Sequence, residues 1–543
     1  MTNLSASAKL LSEYPRAIAH LRWQVQKRRF GLVVGSGVSI DLGVPGWEEL
    51  VRLIACDKKV DGLQEISGEN VRATLPYKTE MLYQRFREKH SAMNSTLNNL
   101  ERENTIGAEW RKLCQKYLYP TSAPDPVGAI NSHPYLKSLT RLVQRSLLTI
   151  NFNFDDFLEI ALERNKMSDD RATRGFEAVT DPWPQFRRTD SVVYHPHGYI
   201  PREPLETLAD RFVFSEASYS QQYVGARGQD GSFLVAHFAR NTCLLVGCSL
   251  EDELRHVLMR GAEFNPGNYH YYVKFEGNSP LTDDQKKLVW ETNFKVYNLI
   301  TLFLTSQEIE HLLQLINDDE VSNDHLKRLA LNSGTELKYT YYMTGALGVG
   351  KSTTTERLRN LHVMDEWQDA KPAILGKAWD TLSPRERERA DAWIVAQFVK
   401  KNQLLRELDG AVVSVVDRPP LDPIAFTPHQ SRRRKAKTLK AAMCPDAGDT
   451  VERGVVILLV GQARELSARV RARGRADYNV KRLEKMQRDL SRIYDSRRVE
   501  GVRVVDTTFM NITDVTKRVA EIIHRETYTP ADLTQVLNSH GGA

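Results

Sequence analysis

Two blocks of the chain alternate short apolar runs with longer helical stretches, and this alternation limits the possible folds more than any other feature. In the first block the apolar runs are FGLVV (30–34), LLTI (147–150), SVVYH (191–195), TCLLVG (242–247) and YYVKF (271–275). In the second block they lie near 339–344, 411–416, 455–460 and 502–506. Strands that alternate with helices form a parallel sheet covered by helices. The sequence therefore predicts the α/β class, with two successive domains that each contain a parallel sheet.

The domain boundaries follow from the places where this alternation is interrupted. We expect a first domain over residues 1–330, with a polar helical insertion at about 79–118, and a second domain over 338–525. The segment LNSGTE (331–336) is the expected linker, and 526–543 is expected to be a flexible tail.

Composition excludes several classes of protein. A net charge of +6 over 543 residues does not indicate nucleic-acid binding, and apolar runs such as VVILLV are far too short to span a bilayer. No basic and apolar leader begins the sequence, so no signal peptide and no membrane partner are expected. The five cysteines contain no Cys-x-x-Cys pair, which favours a cytoplasmic location and excludes a four-cysteine zinc site.

Several of the first-block strands are followed by glycine or by polar residues that are suited to binding a phosphorylated ligand. Glycine lets backbone N–H groups approach a phosphate, and ligands of open α/β sheets bind at the carboxyl ends of the strands. Each motif alone is also compatible with an ordinary turn, a helix cap or a loop histidine. The residues are Gly35, Ser36, Gly37 and Ser39 after the first strand, Asn153 and Asp155 after the second, His197 after the third, and Gly247 and Ser249 after the fourth.

These motifs resemble the sirtuin-like family over about residues 20–310, in particular its bacterial NAD-consuming branch. The family's glycine loop and its Gly-x-Pro-x-Trp are similar to 35–39 and 43–47, and its Asn-aromatic-Asp motif is similar to 153–155, with Asn151 in place of the usual threonine. The family's His-Gly is similar to His197-Gly198, and its late Gly-x-Ser to Gly247-Cys248-Ser249. His195 lies two residues earlier, but the following glycine favours His197.

The resemblance implies NAD⁺ as the substrate and assigns roles to these residues. Asn153 would hold the water or the ribose, Asp155 would contact the nicotinamide end, and His197 would be the general base. The glycines and serines at 35–39, 247 and 249 would bind NAD⁺. The deacetylases of the family carry a four-cysteine zinc module and the sequence GIPDFR, whereas this chain lacks the cysteines and has GVPGWE. Both differences favour water as the acceptor, which makes the predicted activity that of an NAD⁺ glycohydrolase without zinc.

The second block begins with a P-loop motif in its proper context. Gly345-x-x-x-x-Gly350-Lys351-Ser352 follows a predicted strand and precedes a predicted helix. Lys351 would reach the β- and γ-phosphates and Ser352 would ligate Mg²⁺, so we expect ATP or a deoxynucleoside triphosphate with Mg²⁺. The expected nucleotide-binding residues are Gly345, Gly348, Gly350, Lys351, Ser352 and Thr353.

Over about 338–525 this block resembles small kinases of the thymidylate-kinase and deoxynucleoside-kinase type. The resemblance implies that Asp417 and Arg418 are the Asp-Arg pair that follows the third strand in these kinases, and that an arginine-rich lid at Arg471, Arg473 and Arg475 closes on the transferring phosphates. Glu366 resembles the base that accepts the proton of the nucleoside hydroxyl, with Asp365 as the reserve. The arginines are also compatible with a solvated helix face, and DEW (365–367) with a surface turn; SRRRKAKTLK (431–440) is expected to be solvated surface rather than a nucleic-acid site.

The combination resembles bacterial sirtuin-like effectors that deplete NAD⁺ during phage infection and are fused to sensor domains. That resemblance implies gating by the nucleotide-binding domain, a phage-derived trigger and a homo-oligomer. Two other interpretations stay open at this stage. In the first, the protein is a nucleotide kinase whose sirtuin-like domain binds NAD or an ADP-ribose derivative only as a regulator. In the second, it is a P-loop switch protein in which neither domain catalyses a reaction. The sequence does not identify the trigger, the base preference or the oligomeric state.

Overall fold

The computed structural model describes residues 6–40, 42–60, 73–93, 98–119, 125–168, 175–180, 191–202, 213–218, 229–250, 252–277, 279–377, 381–446, 448–474 and 479–541. The chain divides into two compact units. The first unit comprises Gln24–Asn265 and Tyr269–Val321, and the second comprises Met1–Trp23, Pro266–Asn268 and Ser322–Ala543. Residues 1–23 therefore group with the second unit, whereas the sequence places them in the first domain.

The first unit contains a seven-stranded parallel sheet of order β3-β4-β2-β1-β5-β6-β7. Val34 at the end of β1 is in register with Asn151 on one side and Val246 on the other, so the loops that follow these three strands leave the sheet side by side. The five predicted strands are present, and β3 and β7 are additional. The strands are β1 (Phe30–Val34), β2 (Leu148–Asn151), β3 (Phe176–Val179), β4 (Ser191–Tyr194), β5 (Thr242–Val246), β6 (His270–Phe275) and β7 (Leu299–Leu304).

The predicted insertion of the first unit consists of two helices, Leu75–Met93 and Asn99–Leu118. Asn98 and Glu101 form a capping box that starts the second of them, and Phe86 and Trp110 bury their rings between the two. The other helices of the described part of this unit are Gly37–Ile40, Trp47–Ala55, Pro126–Ser132, Pro134–Arg145, Phe157–Ser168, Gln229–Arg240, Asp252–Phe264, Asp283–Tyr297 and Ser306–Ile316.

The second unit contains a five-stranded parallel sheet of order β12-β11-β8-β10-β9. The central strand β8 leads into the P-loop, and Asp417 at the end of β10 is in register with Met343 of β8. The parallel α/β architecture expected of both blocks is confirmed, and the short β9 is additional. The strands are β8 (Lys338–Gly345), β9 (His362–Met364), β10 (Val412–Asp417), β11 (Val455–Val460) and β12 (Val502–Asp506).

The end of the chain is helical and packed rather than a flexible tail. Leu533, Val536 and Leu537 recur at helical spacing on helix Leu533–Gly541 and are buried in the same core as Leu439. The expected linker is also partly helical, because helix Asn323–Ser333 ends only at Gly334. The remaining helices that include residues of this unit are Ala6–Glu13, Pro15–Gln26, Lys351–Arg357, Pro384–Glu407, Asp422–Ala425, Arg432–Met443, Ala463–Ala472, Val480–Ile493 and Ile512–His524.

None of the helices in the described ranges combines the length and the apolar character needed to cross a membrane.

Candidate functional site

A cleft opens at the carboxyl edge of the first unit's sheet, where the loops after β1, β2, β4 and β5 meet. Seven of the nine residues that the sequence singles out in this block line it, and the other two, Gly37 and Gly247, pack against each other next to the lining residue Gly35. The lining includes Gly35, Ser36, Ser39, Trp47, Phe152, Asn153, Asp155, His197, Cys248, Ser249 and Glu253.

The glycines of this cleft allow two loops to pack backbone against backbone. A Cβ atom on Gly35 would lie 2.6 Å from the Gly247 carbonyl oxygen, and one on Gly37 would lie 2.9 Å from the same oxygen. Gly247 itself has φ +68°, and its Cβ would lie 2.7 Å from the Val38 nitrogen. The Gly37 N–H donates to the Gly247 carbonyl at 2.8 Å. Side chains at these positions would push the loops apart and change the floor of the cleft.

Ser39 joins the two polar residues that follow β2. Asn153 Nδ2 donates to Ser39 Oγ at 2.9 Å, and the Ser39 hydroxyl in turn donates to Asp155. Asp155 Oδ1 also accepts the Phe157 N–H at 3.1 Å, where helix Phe157–Ser168 begins. Asn153 Oδ1 is buried and has no hydrogen-bond partner among the described residues. An acceptor that is left without a donor at a cleft is suited to a ligand hydroxyl or a water.

Asp155 is a buried acidic group of this cleft, and its pKa is perturbed. Its side chain is 3% exposed. Burial raises the pKa of Asp155 to about 6, although hydrogen bonds from Ser39 and the Phe157 N–H oppose the rise. Such perturbation is common at functional sites.

The two candidate histidines occupy different environments. His197 lines the cleft, with its ring centroid 5.2 Å from that of Phe152 and 6.3 Å from that of Trp47. His195 is fully buried outside the lining, where its Nε2 hydrogen-bonds Glu159 Oε1 at 2.9 Å and its ring stacks on Tyr199. Only His197 therefore has access to a ligand in the cleft.

Several lining residues were not among the predicted site residues, and three of them bear on the chemistry of the cleft. Phe152 and Trp47 form an aromatic wall, and Glu253 adds a carboxylate from helix Asp252–Phe264. The signals for them were present, because Phe152 stands within NFNFDD and Glu253 within SLEDELR. The sequence does not show which face of a loop or helix turns toward the cleft.

The P-loop of the second unit has a backbone conformation that requires glycine at three positions. Gly345, Gly348 and Gly350 have φ +147°, +86° and +100°, respectively, and Gly350 caps helix Lys351–Arg357. Lys351 Nζ donates to the carbonyls of Gly345 at 2.8 Å and Ala346 at 3.0 Å. Burial, together with the positive charge of Arg418, lowers the pKa of Lys351 to about 8.

A charged cluster lies beside the P-loop, at the end of β10. Arg418 Nε donates to Glu366 Oε1 at 2.7 Å, and its Nη1 donates to Asp422 Oδ2 at 3.1 Å. Asp417 is buried, its pKa is raised by that burial, and its Oδ1 has no hydrogen-bond partner in the described chain. Asp365 instead pairs with Arg359 at 2.7 Å on the surface. Of the two candidate bases, Glu366 is therefore the one that belongs to the cluster.

The structure describes two of the three predicted lid arginines, Arg471 and Arg473. Helix Ala463–Ala472 packs against the P-loop, because a Cβ on Gly348 would lie 3.0 Å from the Leu466 carbonyl oxygen. Arg471 donates to Ser467 at 3.3 Å, and Arg473 is exposed at the end of this helix. Arg475 lies outside the described residues.

The P-loop surroundings fit a nucleotide-bound Mg²⁺ ion. Ser352 is exposed at the start of the P-loop helix, and the unpartnered Asp417 oxygen supplies a hard anionic ligand of the kind that magnesium prefers. Among the described residues, no group of three or more His, Cys, Asp or Glu side chains is arranged to hold a metal by protein ligands alone.

Comparison with known protein families finds a match to one part of the chain. The model of the SIR2-like domain matches residues 147–297, which include β2, β4 and β5 and the loops with Asn153, Asp155, His197 and Gly247. No curated protein matches the chain significantly. The match supports an NAD-related function for this chain in general terms.

Three solved structures are similar at low levels. The thymidylate kinase from Candida albicans has a TM-score of 0.28 and 19% identity, and the match covers 36% of this chain and 97% of that one. The NadR protein in complex with NR has a TM-score of 0.25 and 9% identity, covering 72% and 92%. The NadR protein in complex with NAD and AMP-PNP has 0.26 and 8%, with the same coverage. These TM-scores are too low to support an inference about function.

Proposed function

We propose that the first unit cleaves NAD⁺ to nicotinamide and ADP-ribose with water as the acceptor. One observation carries this proposal: Ser39, Asn153, Asp155 and His197, which follow three different strands, face a single cleft. Three strand ends that each bring a polar group to one place support a ligand site there, because unrelated turns have no reason to converge.

The chemistry follows from the charges involved. Nicotinamide leaves readily because its glycosidic nitrogen is cationic, and the ribose becomes an oxocarbenium-like cation in the transition state. The Asp155 carboxylate, once ionised, stabilises that positive charge in a site shielded from water. Asn153 Oδ1 accepts a hydrogen bond from the ribose or the water, and His197 removes the proton of the attacking water. Ser36 offers its backbone N–H group to the pyrophosphate beside Gly35, whose own N–H donates to the Val246 carbonyl at 3.0 Å, with Ser249 at the adenosine side.

The experiment compares two histidine variants of the full chain. His197→Ala is expected to lower the rate of nicotinamide release by ~10²–10⁴. His195→Ala is the matched control, since His195 is buried beside Glu159 and does not line the cleft. Melting temperatures of both variants separate loss of chemistry from loss of fold. Near wild-type cleavage by His197→Ala removes that residue from the mechanism, and a loss confined to His195→Ala transfers the role to His195.

We propose further that the second unit binds ATP or a deoxynucleoside triphosphate with Mg²⁺ and thereby gates NAD⁺ cleavage, as part of bacterial defence against phage. The buried Lys351 and the P-loop glycines support nucleotide binding. Gating requires that the nucleotide binds the active conformation better than the resting one. Measuring NAD⁺ loss in the purified protein across a panel of nucleotides and deoxynucleotides tests this proposal.

A second candidate function is phosphoryl transfer by the second unit. The pair of Glu366 with Arg418 next to the P-loop favours it, because a carboxylate there is within the cluster that would face a phosphoryl acceptor. Transfer of the γ-phosphate of ATP to nucleosides and nucleoside monophosphates tests it, with Glu366→Gln as the variant and Asp365→Asn as the matched control.

A further inference from the structure

Arg418 has an unusual backbone for a charged residue. Its φ is +68°, in the left-handed region that favours glycine, and its side chain is buried. It stands immediately after β10, between Asp417 and Pro419. A residue with a long side chain pays a conformational cost in this region, so something must hold it there.

Lys401 restrains the backbone of Asp417 and Arg418 through hydrogen bonds to their carbonyls. It lies on helix Pro384–Glu407, is 1% exposed, and has its ammonium 4.4 Å from the centroid of the Phe398 ring. Lys401 Nζ donates to the carbonyl of Asp417 at 2.7 Å and to that of Arg418 at 3.2 Å. Successive carbonyls of a strand point in opposite directions, so two of them reach one ammonium only where the chain turns.

The turn determines where the guanidinium of Arg418 lies. The guanidinium lies between Glu366 and Asp422 and donates to both. Asp422 also accepts hydrogen bonds from Thr344 Oγ1 at 2.9 Å and from Tyr494 OH at 3.0 Å. Asp422, the buried partner of the guanidinium, is therefore fixed in advance, and the backbone of Arg418 must be set to reach it. An extended continuation of β10 would direct this side chain elsewhere.

We propose that Lys401 is a positioning residue of the P-loop site, which holds Arg418 in its left-handed conformation and so places the guanidinium between Glu366 and Asp422. Burial lowers the pKa of Lys401 to about 8, so keeping its ammonium charged in this position carries a desolvation cost. The proposal deepens the nucleotide-dependent function proposed for the second unit and rests on it for its biological purpose, but the geometry can be tested without any nucleotide.

The test is the nuclear magnetic resonance signal of the Arg418 Nε–H group in the full chain, identified by its disappearance in Arg418→Lys. Lys401→Met keeps the length of the side chain and removes the charge. We expect the Arg418 Nε–H to exchange with solvent at least ~10-fold faster in this variant and to move toward the frequency of free arginine. Lys400→Met is the matched control, because Lys400 is the exposed neighbour that pairs with Asp369. An unchanged Arg418 signal in folded Lys401→Met overturns the proposal.

A rescue experiment decides the case if Lys401→Met does not fold. Glycine adopts positive φ without cost, so the double variant Lys401→Met/Arg418→Gly is expected to fold as well as Arg418→Gly alone. A double variant that remains unfolded while Arg418→Gly folds shows that Lys401 acts elsewhere. Titration of the wild-type protein with Mg²⁺ and ATP reports separately on the proposed nucleotide binding, so the two proposals fail on different measurements.

Discussion

Replacing Asp155 by asparagine should make the first unit more stable near neutral pH while it destroys NAD⁺ cleavage. The carboxyl is 3% exposed, and its pKa is raised from 3.8 to about 6 by burial. A group with a higher pKa in the folded than in the unfolded protein binds its proton more tightly when folded. Stability therefore falls as the pH rises from about 4 to about 6 and stays low above that.

The magnitude follows from the shift. Two pKa units correspond to about 3 kcal/mol, which is the destabilisation that ionised Asp155 imposes at pH 7.5. Asparagine is neutral at every pH and of nearly the same shape, but its amide replaces one of the oxygens that accept from Ser39 and the Phe157 N–H. Losing part of that pair costs about 1 kcal/mol at either pH, so the net gain is about 2 kcal/mol at pH 7.5 and becomes a loss of up to about 1 kcal/mol at pH 4.

The assay is calorimetric melting of the full chain at both pH values, following the transition of the first unit. Asp57→Asn is the matched control in the same unit. Burial disfavours the ionised form of Asp57, but hydrogen bonds from Lys116, the Lys59 N–H and Tyr117 hold its pKa below the usual value. Asp57→Asn should therefore lower the melting temperature at pH 7.5, opposite in sign to Asp155→Asn. If Asp155→Asn also lowers the melting temperature at pH 7.5, the buried Asp155 carboxylate does not destabilise the fold and the reasoning is refuted.

Three further predictions concern the P-loop, its influence on NAD⁺ cleavage and the glycine loops. Lys351→Ala should abolish binding of ATP with Mg²⁺ in calorimetric titration and leave the first unit's melting unchanged; unaltered ATP affinity defeats the assignment. Lys351→Ala and Asp417→Ala should both lose the roughly 5- to 150-fold response of NAD⁺ cleavage to nucleotides, and a wild-type rate that is constant across the panel disproves gating. Gly247→Ala should lower the free energy of unfolding by more than about 2 kcal/mol, because φ is +68° and the added Cβ would lie 2.7 Å from the Val38 nitrogen. Gly107→Ala is the control: nothing lies within 4 Å of its Cβ, so it should raise the free energy of unfolding by up to about 1 kcal/mol. Equal effects of the two substitutions contradict the packing explanation.

The sequence predicts the sheets well where strands are buried on both faces. β1, β5, β10 and β11 are predominantly apolar runs, with Thr242, Ser414 and Asp417 as the polar exceptions, and that pattern is typical of parallel strands covered by helices. β3 was missed because it is a half-buried edge strand with a weak pattern, and β9 because it has only three residues. β7, LITLFL, carries the same apolar signal as the predicted strands and was detectable.

Packing between distant parts of the chain is what the sequence does not contain. Residues 1–23 adjoin β1 in the sequence, yet Arg16 donates to Tyr341 OH at 3.1 Å and to the Ile523 carbonyl at 2.6 Å within the second unit. Proximity along the chain suggested the opposite grouping. The helical tail is different, since the spacing of its buried leucines and valine is visible in the sequence and indicates a helix face.

The candidate sites show the same division. Strand ends and glycines indicate the edge of the sheet where a ligand binds, and the polar residues there do line one cleft. Choices between neighbouring candidates depend on side-chain direction, as with His195 and His197 or Asp365 and Glu366, and the same difference separates Lys400 from Lys401, neither of which the sequence singles out. One member of each pair is turned into a cluster or cleft and the other is not, and only the tertiary fold decides which.

The central claim is that NAD⁺ is consumed in the first unit, and the most direct measurement is product release by the purified full chain. NAD⁺ is incubated with the protein, with and without each nucleotide and deoxynucleotide with Mg²⁺, and nicotinamide and ADP-ribose are quantified by chromatography. We predict equal amounts of both products, many turnovers per protein molecule in at least one condition, and a loss of ~10²–10⁴ in rate in His197→Ala. NAD⁺ that binds but stays intact under every condition would contradict the claim and leave the cleft as a regulatory binding site.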